Sequence, residues 1–274
     1  MGQSDNHGRF VWHELLTKDA EAAKSFYQSV VGWSTTKWGD GSVDYSMFTA
    51  GEMPVAGLMT GNSDPSQPEV PPIWIAYVGV DDVDETVDTT VQSGGGVIVP
   101  AKTMPGVGRF AVLRDPQGAT FAAITGEGEM PPETDPKPLE FSWHELITPD
   151  YKAAAEFYNK IFGWKKQSEM DMGEFGTYYM FGRDRFTYGG MMNMPPGTPG
   201  PSWLHYVSVP DSADAAADRA KAAGGTIING PMEVPGGDRI AAIVDPQGAA
   251  FAVHSKAPAG AQSYQPGSAE SART

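Results

Sequence analysis

Two glutamates carry the strongest chemical signal in this sequence. Glu14 ends the run Trp12-His13-Glu14, and Glu145 ends Trp143-His144-Glu145, 131 residues later. Side chains alternate across a strand, so Trp12, Glu14 and Leu16 share one face while His13 and Leu15 share the other. The same parity sets Trp143 and Glu145 against His144. A carboxylate on an otherwise apolar wall is partly desolvated, which raises its pKa. That suits it to receive a ligand's hydrogen-bond donor or to act as a catalytic base. The neighbouring indole adds a flat stacking surface with one N–H donor.

The elements that position these residues are written twice. "WHELLTKDAEAAKSFYQSVVGW" from Trp12 and "WHELITPDYKAAAEFYNKIFGW" from Trp143 agree at twelve of twenty-two positions without a gap. "WIAYVGVDD" (Trp74 to Asp82) is answered by "WLHYVSVPD" (Trp203 to Asp211), and the "DPQG" at Asp115 by another at Asp245. A repeat of this length is a duplicated domain, not a solenoid unit. Within one copy, "FVWHELLT" reads as a strand, and Thr17 or Asp19 supplies a helix N-cap. Ala22, Ala23, Phe26, Tyr27 and Val30 give one apolar helical face, and Gly32 or Gly163 ends the helix. Short strand-like runs follow. The pattern then recurs with "WIAYVGV", an Asp82-capped helix with Val83, Val87 and Val91 on one face, and three strands. "DPQG" turns between the last two of these. Each copy is therefore two βαβββ units, four in the chain, an α+β architecture.

The boundaries expected are a tail over 1–9, domains over 10–126 and 141–256, a linker over 127–140 rich in proline and acid, and a disordered tail over 257–274. With 34 acidic and 19 basic residues and a net charge of −15, the chain lacks the clustered cations that nucleic acid or an anionic membrane requires. No apolar run reaches the eighteen or so residues of a membrane span. The absence of cysteine excludes disulfides and thiolate sites, and fits a cytoplasmic protein.

The order of elements, the Asp followed by "FY" and "GW", and the closing "DPQG" together resemble the vicinal oxygen chelate superfamily. This group contains glyoxalase I, extradiol dioxygenases and bleomycin-resistance proteins, and the tandem form here is similar to a two-domain actinobacterial type. The resemblance implies half-open sheets, each a cup built from two βαβββ units and holding a ligand on its concave face. It also implies a pseudo-twofold molecule, as monomer or homodimer. Which units pair, neighbours or first with fourth, stays open.

Catalytic members hold a divalent metal through His and Glu in the cup. The matching positions here are Trp12, the Gly57–Met59 stretch, Ile75 and Ala122, and in the second copy Trp143, Gly190–Met192, Leu204 and Ala252. None is a histidine or a carboxylate, so no cofactor is expected. What remains for a ligand is Trp12, Trp143, Tyr77, Tyr206, Met59 and Met192, with Glu14 and Glu145. Trp74 and Trp203 would extend the stacking set, and Met47, Met180 and Met191 the deformable lining. Arg109 and Arg239 stand at strand ends. An alternative needs a one-residue bulge to bring His144 and His205 into the second cup with Glu145 and His254, as a site for one divalent Zn, Fe or Mn.

Two functions follow. One is a metal-independent protein that binds small hydrophobic or aromatic molecules such as a metabolite or an antibiotic. The other is a lyase, isomerase or oxygenase of the same superfamily, metal-dependent in its C-terminal half or using Glu14 and Glu145 as base. A purely structural module would leave the acid-and-aromatic wall unexplained.

Overall fold

The structure is a computed structural model and describes residues 4–39, 45–61, 71–128 and 130–257. The tail expected to be disordered lies, from residue 258, outside them. Each half repeats one order. The first contains β1 (Phe10–Thr17), α1 (Ala20–Val30), β2 (Ser34–Lys37), β3 (Tyr45–Ala50), β4 (Met53–Thr60), β5 (Ile73–Gly79), α2 (Val83–Gln92), β6 (Gly96–Met104), β7 (Gly108–Arg114) and β8 (Thr120–Gly126). The second contains β9 (Phe141–Thr148), α3 (Tyr151–Phe162), β10 (Lys165–Asp171), β11 (Thr177–Arg183), β12 (Phe186–Asn193), β13 (Ser202–Ser208), α4 (Ala213–Ala222), β14 (Thr226–Glu233), β15 (Arg239–Val244) and β16 (Ala250–Ser255).

Asp19 and Asp150 cap α1 and α3, the first accepting the Ala22 N–H and the second the Lys152 and Ala153 N–H groups. Pro149 stands just before the Asp150 cap of α3. In α2 the buried face is Val83, Thr86 and Thr90, and Val91 is half exposed to solvent, so the expected valine stripe is only partly used.

Neighbouring units share a sheet. The strand order is β2-β3-β4-β1-β5-β8-β7-β6 in the first half and β10-β11-β12-β9-β13-β16-β15-β14 in the second. β1 joins β5 antiparallel, with Glu14 opposite Ile75, and β9 joins β13 with Glu145 opposite Leu204. The cores, however, cross between halves. Phe26, Tyr27 and Val30 of α1 share one cluster with Ala213, Ala216 and Ala220 of α4 and with Ile243 and Phe251. Phe157, Tyr158 and Ile161 of α3 share the other with Val83, Leu113 and Phe121. Neighbours therefore pair into a cup, while the first and fourth units, and the second and third, share a helix-side core.

The "FY" and "DPQG" motifs fasten this seam. Buried Asp245 accepts three backbone N–H groups of its own turn through one oxygen and the Tyr27 hydroxyl through the other, at 3.1 Å. Asp115 does the same, with Tyr158 at 3.0 Å. Each such buried bond to a carboxylate is worth about 1.5–3 kcal/mol. Gln247 and Gln117 reach the backbone at the start of the opposite half's helix, at Asp19 and Asp150. The N-terminal tail is also docked: the Gly8 carbonyl accepts from Trp164 Nε1 at 2.7 Å, and Arg183 donates to the Asp5 and His7 carbonyls. Glu133 of the linker lies against Arg9 and Arg183, so this segment is a packed strap as well as a spacer.

Candidate functional site

With the helices and the seam on one side of each sheet, the other side is the concave face. In the first half it carries Ile75, Tyr77, Phe110, Val112, Ala122 and Ile124, with Trp12 and Leu16 packed against them. In the second it carries Leu204, Tyr206, Ala242 and Ala252, with Trp143 and Ile240. Tyr77, Tyr206, Phe110 and Leu204 are already buried, whereas Trp12, Glu14 and Met59, and Trp143, Glu145 and Met192, are half-buried. The accessible floor of each cup is therefore indole, carboxyl and thioether.

At the centre of the first cup a hydrogen-bonded chain runs through four side chains. Trp12 Nε1 donates to the Tyr45 hydroxyl at 3.1 Å, which donates to Glu14 Oε2 at 3.0 Å, and the Tyr77 hydroxyl donates to Glu14 Oε1 at 3.1 Å. The second cup repeats it. Trp143 Nε1 donates to Tyr178 at 2.8 Å, and Tyr178 to Glu145 Oε2 at 2.8 Å, with the Tyr206 hydroxyl bonded to the same carboxyl.

Burial pushes the carboxyls of Glu14 and Glu145 above their ordinary range, against the pull of the tyrosine donors and, for Glu14, of the Lys102 charge. Burial and the adjacent carboxylate push the Tyr45, Tyr77, Tyr178 and Tyr206 hydroxyls up, so these stay protonated donors. Each carboxylate oxygen retains acceptor capacity for a donor presented from the cup mouth.

Tyr45 and Tyr178 are the residues that the sequence reading missed. They stand 133 residues apart, close to the 131 that separates Glu14 from Glu145, so the duplication itself held the signal. Their room comes from glycine. A Cβ on Gly57 would overlap the Tyr45 hydroxyl, and one on Gly190 would overlap the Tyr178 ring. These glycines fall within the stretches where metal-binding relatives carry a ligand, and a longer side chain there would collide with the tyrosine. With Trp12, Ile75 and Ala122 at the other matching positions, and Trp143, Leu204 and Ala252 in the second cup, the donor set does not fit a metal.

The remaining expectations divide. Trp74 and Trp203 face the seam, where their indoles donate to Tyr27 at 2.8 Å and Tyr158 at 3.0 Å, so they do not line a cup. They lie opposite Leu15 and Leu146, on the face that parity assigns to the helices. Met191 is likewise fully buried in the seam core. Arg109 and Arg239 each form a two-pronged ion pair with the first turn of a helix, at Asp84 and Asp214. The quartet His144, His205, His254 and Glu145 is not assembled. His144 and His205 pair at 3.0 Å on the seam face, Glu145 points to the cup, and His254 is held by Ser142 and Asp238. No bulge inverts β9 between His144 and Glu145, where its register with β12 and β13 is continuous.

Comparison with known proteins gives this arrangement a family. The glyoxalase/bleomycin resistance protein/dioxygenase superfamily matches residues 9–123 and again 140–253. The chain belongs to that superfamily. It is 37% identical over 252 residues to the putative glyoxylase CFP32 of Mycobacterium tuberculosis, covering 90% of this chain and 94% of that protein. It is 32% identical over 262 residues to the anthracycline biosynthesis protein DauV of a Streptomyces species, covering 90% and 92%. The fold is that of the Mn(II)-bound glyoxalase from Novosphingobium aromaticivorans, with a TM-score of 0.59 at 19% identity over 93% of this chain and 84% of that one. It is also that of homoprotocatechuate 2,3-dioxygenase from Brevibacterium fuscum, with a TM-score of 0.65 at 15% identity over 97% and 83%. The superfamily's cups are thus present twice, with a Trp-Tyr-Glu-Tyr chain at each centre. Among the described residues no helix is long and apolar enough to cross a membrane.

Proposed function

We propose that this superfamily member binds small, planar, hydroxylated aromatic molecules in its two cups without a metal, as a cytoplasmic sequestering or sensing protein. The observation that carries this reading is the glycine-tyrosine exchange at the cup centres. Tyr45 and Tyr178 take the space over Gly57 and Gly190, and each donates a hydrogen bond to a carboxylate with acceptor capacity to spare. A ligand stacked on the Trp12 or Trp143 indole would complete the set by donating a hydroxyl to Glu14 or Glu145. The relatives named for anthracycline biosynthesis support this class, since an anthracycline is itself a planar hydroxylated aromatic.

The test is a titration of indole fluorescence with a panel of such molecules, before and after chelator treatment. Affinity should be unchanged by chelator. Glu14→Gln and Glu145→Gln keep the shape, and each should weaken binding in its own cup by roughly ten- to a hundredfold, nearly additively. Binding that vanishes with chelator, or Gln variants that bind like the parent but melt far lower, would remove the proposal. A second reading rests on the raised carboxyl pKa: Glu14 and Glu145 act as bases in a lyase or isomerase. It requires turnover of a bound ligand, lost in the same two variants.

A further inference from the structure

On the sheet faces turned away from the cups, three imidazoles meet where the halves touch. His13 comes from β1, His144 from β9 and His205 from β13, and all three are buried, at 5%, 5% and 1% exposure. Their ring nitrogens come within 4.8 Å of one another, a grouping that joins both halves of the chain. His13 and His144 are repeats of one position. The counterpart of His205 in the first half is Ala76, which faces His13 across the β1–β5 ladder as His205 faces His144 across the other.

Hydrogen bonding explains only one edge of this triangle. His144 Nδ1 and His205 Nδ1 share a proton at 3.0 Å, but His13 Nε2 is buried with no partner. The ring centroids form a nearly equilateral triangle with sides of 5.1, 5.2 and 5.3 Å. A transition ion holds an imidazole nitrogen at about 2.0–2.1 Å, which places each ring centroid about 3.2 Å from the ion and, around a tetrahedral centre, the centroids about 5.2 Å apart. Bound nitrogens around such a centre lie about 3.3 Å apart, so closing on an ion from the 4.8 Å spread takes small ring shifts. His13 and His144 are within 11° of parallel, and His205 crosses them at 73° and 66°. Phenylalanines of opposite halves clamp the rings: Phe141 stacks on His13 and Phe10 on His144, each at 3.6 Å.

We propose that His13, His144 and His205 hold one late first-row transition ion, Zn2+ or Cu+, at the seam, where it ties the two halves together. The donor set is imidazole alone. The charge interactions that His13 and His144 experience come from the other histidines, and no carboxylate bears on His205. An all-nitrogen set selects against Mg2+, Ca2+ and Mn2+, which prefer oxygen. Its lack of counter-charge favours the monovalent ion over the divalent one, because a buried charge without compensation is costly. The site is separate from the cups, because Glu14 and Glu145 lie on the opposite sheet face.

The test uses the full chain. Protein stripped by chelator in denaturant is refolded with one equivalent of Zn2+ or, in a second arm, of Cu+ under ascorbate, then desalted and assayed by elemental analysis and thermal melting. One ion per chain should be retained in at least one arm, with a raised Tm. His205→Ala, which copies the Ala76 arrangement, should refold and lose the ion, while the Glu14→Gln/Glu145→Gln double variant should keep it. Retention in neither arm, or equal retention by His205→Ala, overturns the proposal. Should His205→Ala fail to fold, Co2+ refolded into the parent decides: the strong visible absorption of tetrahedral nitrogen coordination supports the site, and its absence removes it.

Discussion

The two cups share a centre and differ in their walls. Both hold the Trp-Tyr-Glu-Tyr chain over a glycine, with donor-acceptor distances between 2.8 and 3.1 Å. On the far wall of the first cup, Lys102 faces Phe110 across the β6–β7 ladder, with its Nζ 5.0 Å from the ring centroid, and its charge reaches Glu14. The same ladder in the second cup pairs Met232 with Ile240. On the near side, Trp38 meets the Tyr45 ring edge-on at 6.1 Å, whereas Met170 lies opposite Tyr178. Ile124 of the first cup is answered by His254, tied to Ser142 and Asp238. After duplication the part that would grip a ligand's hydroxyl stayed fixed, and the parts that would touch its body diverged. The two walls thus differ: the first is aromatic and carries a cation, and the second is aliphatic and lies beside the His254–Asp238 hydrogen bond.

The two cups stand as separate faces on a common core, and dividing the chain is the severest test of that separation. Each half owns a complete sheet, but α1 has its apolar face against Ala213, Ala216, Ile243 and Phe251 of the other half. Residues 10–127 expressed alone should therefore lack a cooperative unfolding transition in urea, and should recover one when mixed with residues 128–257. A first half that melts cooperatively alone and still binds its ligand would show that the seam is dispensable.

The sequence disclosed the duplication and, through strand parity, the shared face of Trp12, Glu14 and Leu16. Parity is local, so it needed no knowledge of partners. Tyr45 and Tyr178 were hidden because their approach to Glu14 and Glu145 depends on how β3 and β11 register with β4 and β12, and on the space left by Gly57 and Gly190. Trp74 and Trp203 were misplaced by grouping indoles by type. Their ladder partners are Leu15 and Leu146, already on the helix side, and that pairing sends them to the seam. Parity sets His13 and His144 on the helix side, but nothing in one half's sequence says that this histidine will face its own repeat. The "DPQG" turn was legible as a turn, while its grip on a tyrosine of the opposite half is a tertiary fact.

A smaller perturbation probes whether the two centres are equally tight. Gly57→Ala directs its new methyl at the Tyr45 hydroxyl, the far end of a side chain beside the half-buried Trp12. Gly190→Ala directs its methyl at the body of the Tyr178 ring, where a swing of the hydroxyl gives no relief. Overpacking of this kind costs about 1–3 kcal/mol, and the second variant should lie at the upper end. Urea melts give the difference, and ligand titration should show each variant silencing only its own cup. Equal losses in stability would mean that the two tyrosines are held alike.

The finest test concerns Lys102, the charge that sets the first cup apart. The Glu14 carboxyl sits above its ordinary range because burial penalises the anion, and Lys102 opposes that penalty. A raised folded pKa gives a contribution that is complete below the unfolded value, about 4.3, and is lost as pH rises through the folded value. Lys102→Met copies the second cup and withdraws the opposing charge, so Glu14 should titrate higher still. Lys102 is exposed, and solvent screens it, so the change in stability between pH 4 and pH 8 should grow by only about 0.2–1 kcal/mol. The direct measurement is a carbon NMR titration of the Glu14 and Glu145 carboxyls in parent and variant. Glu14 should move up while Glu145 stays fixed, and affinity of the first cup for an acidic aromatic should fall by up to about fivefold, the equivalent of that same energy. A Glu14 titration unchanged by Lys102→Met would leave the walls different in shape alone, with no electrostatic distinction between the cups.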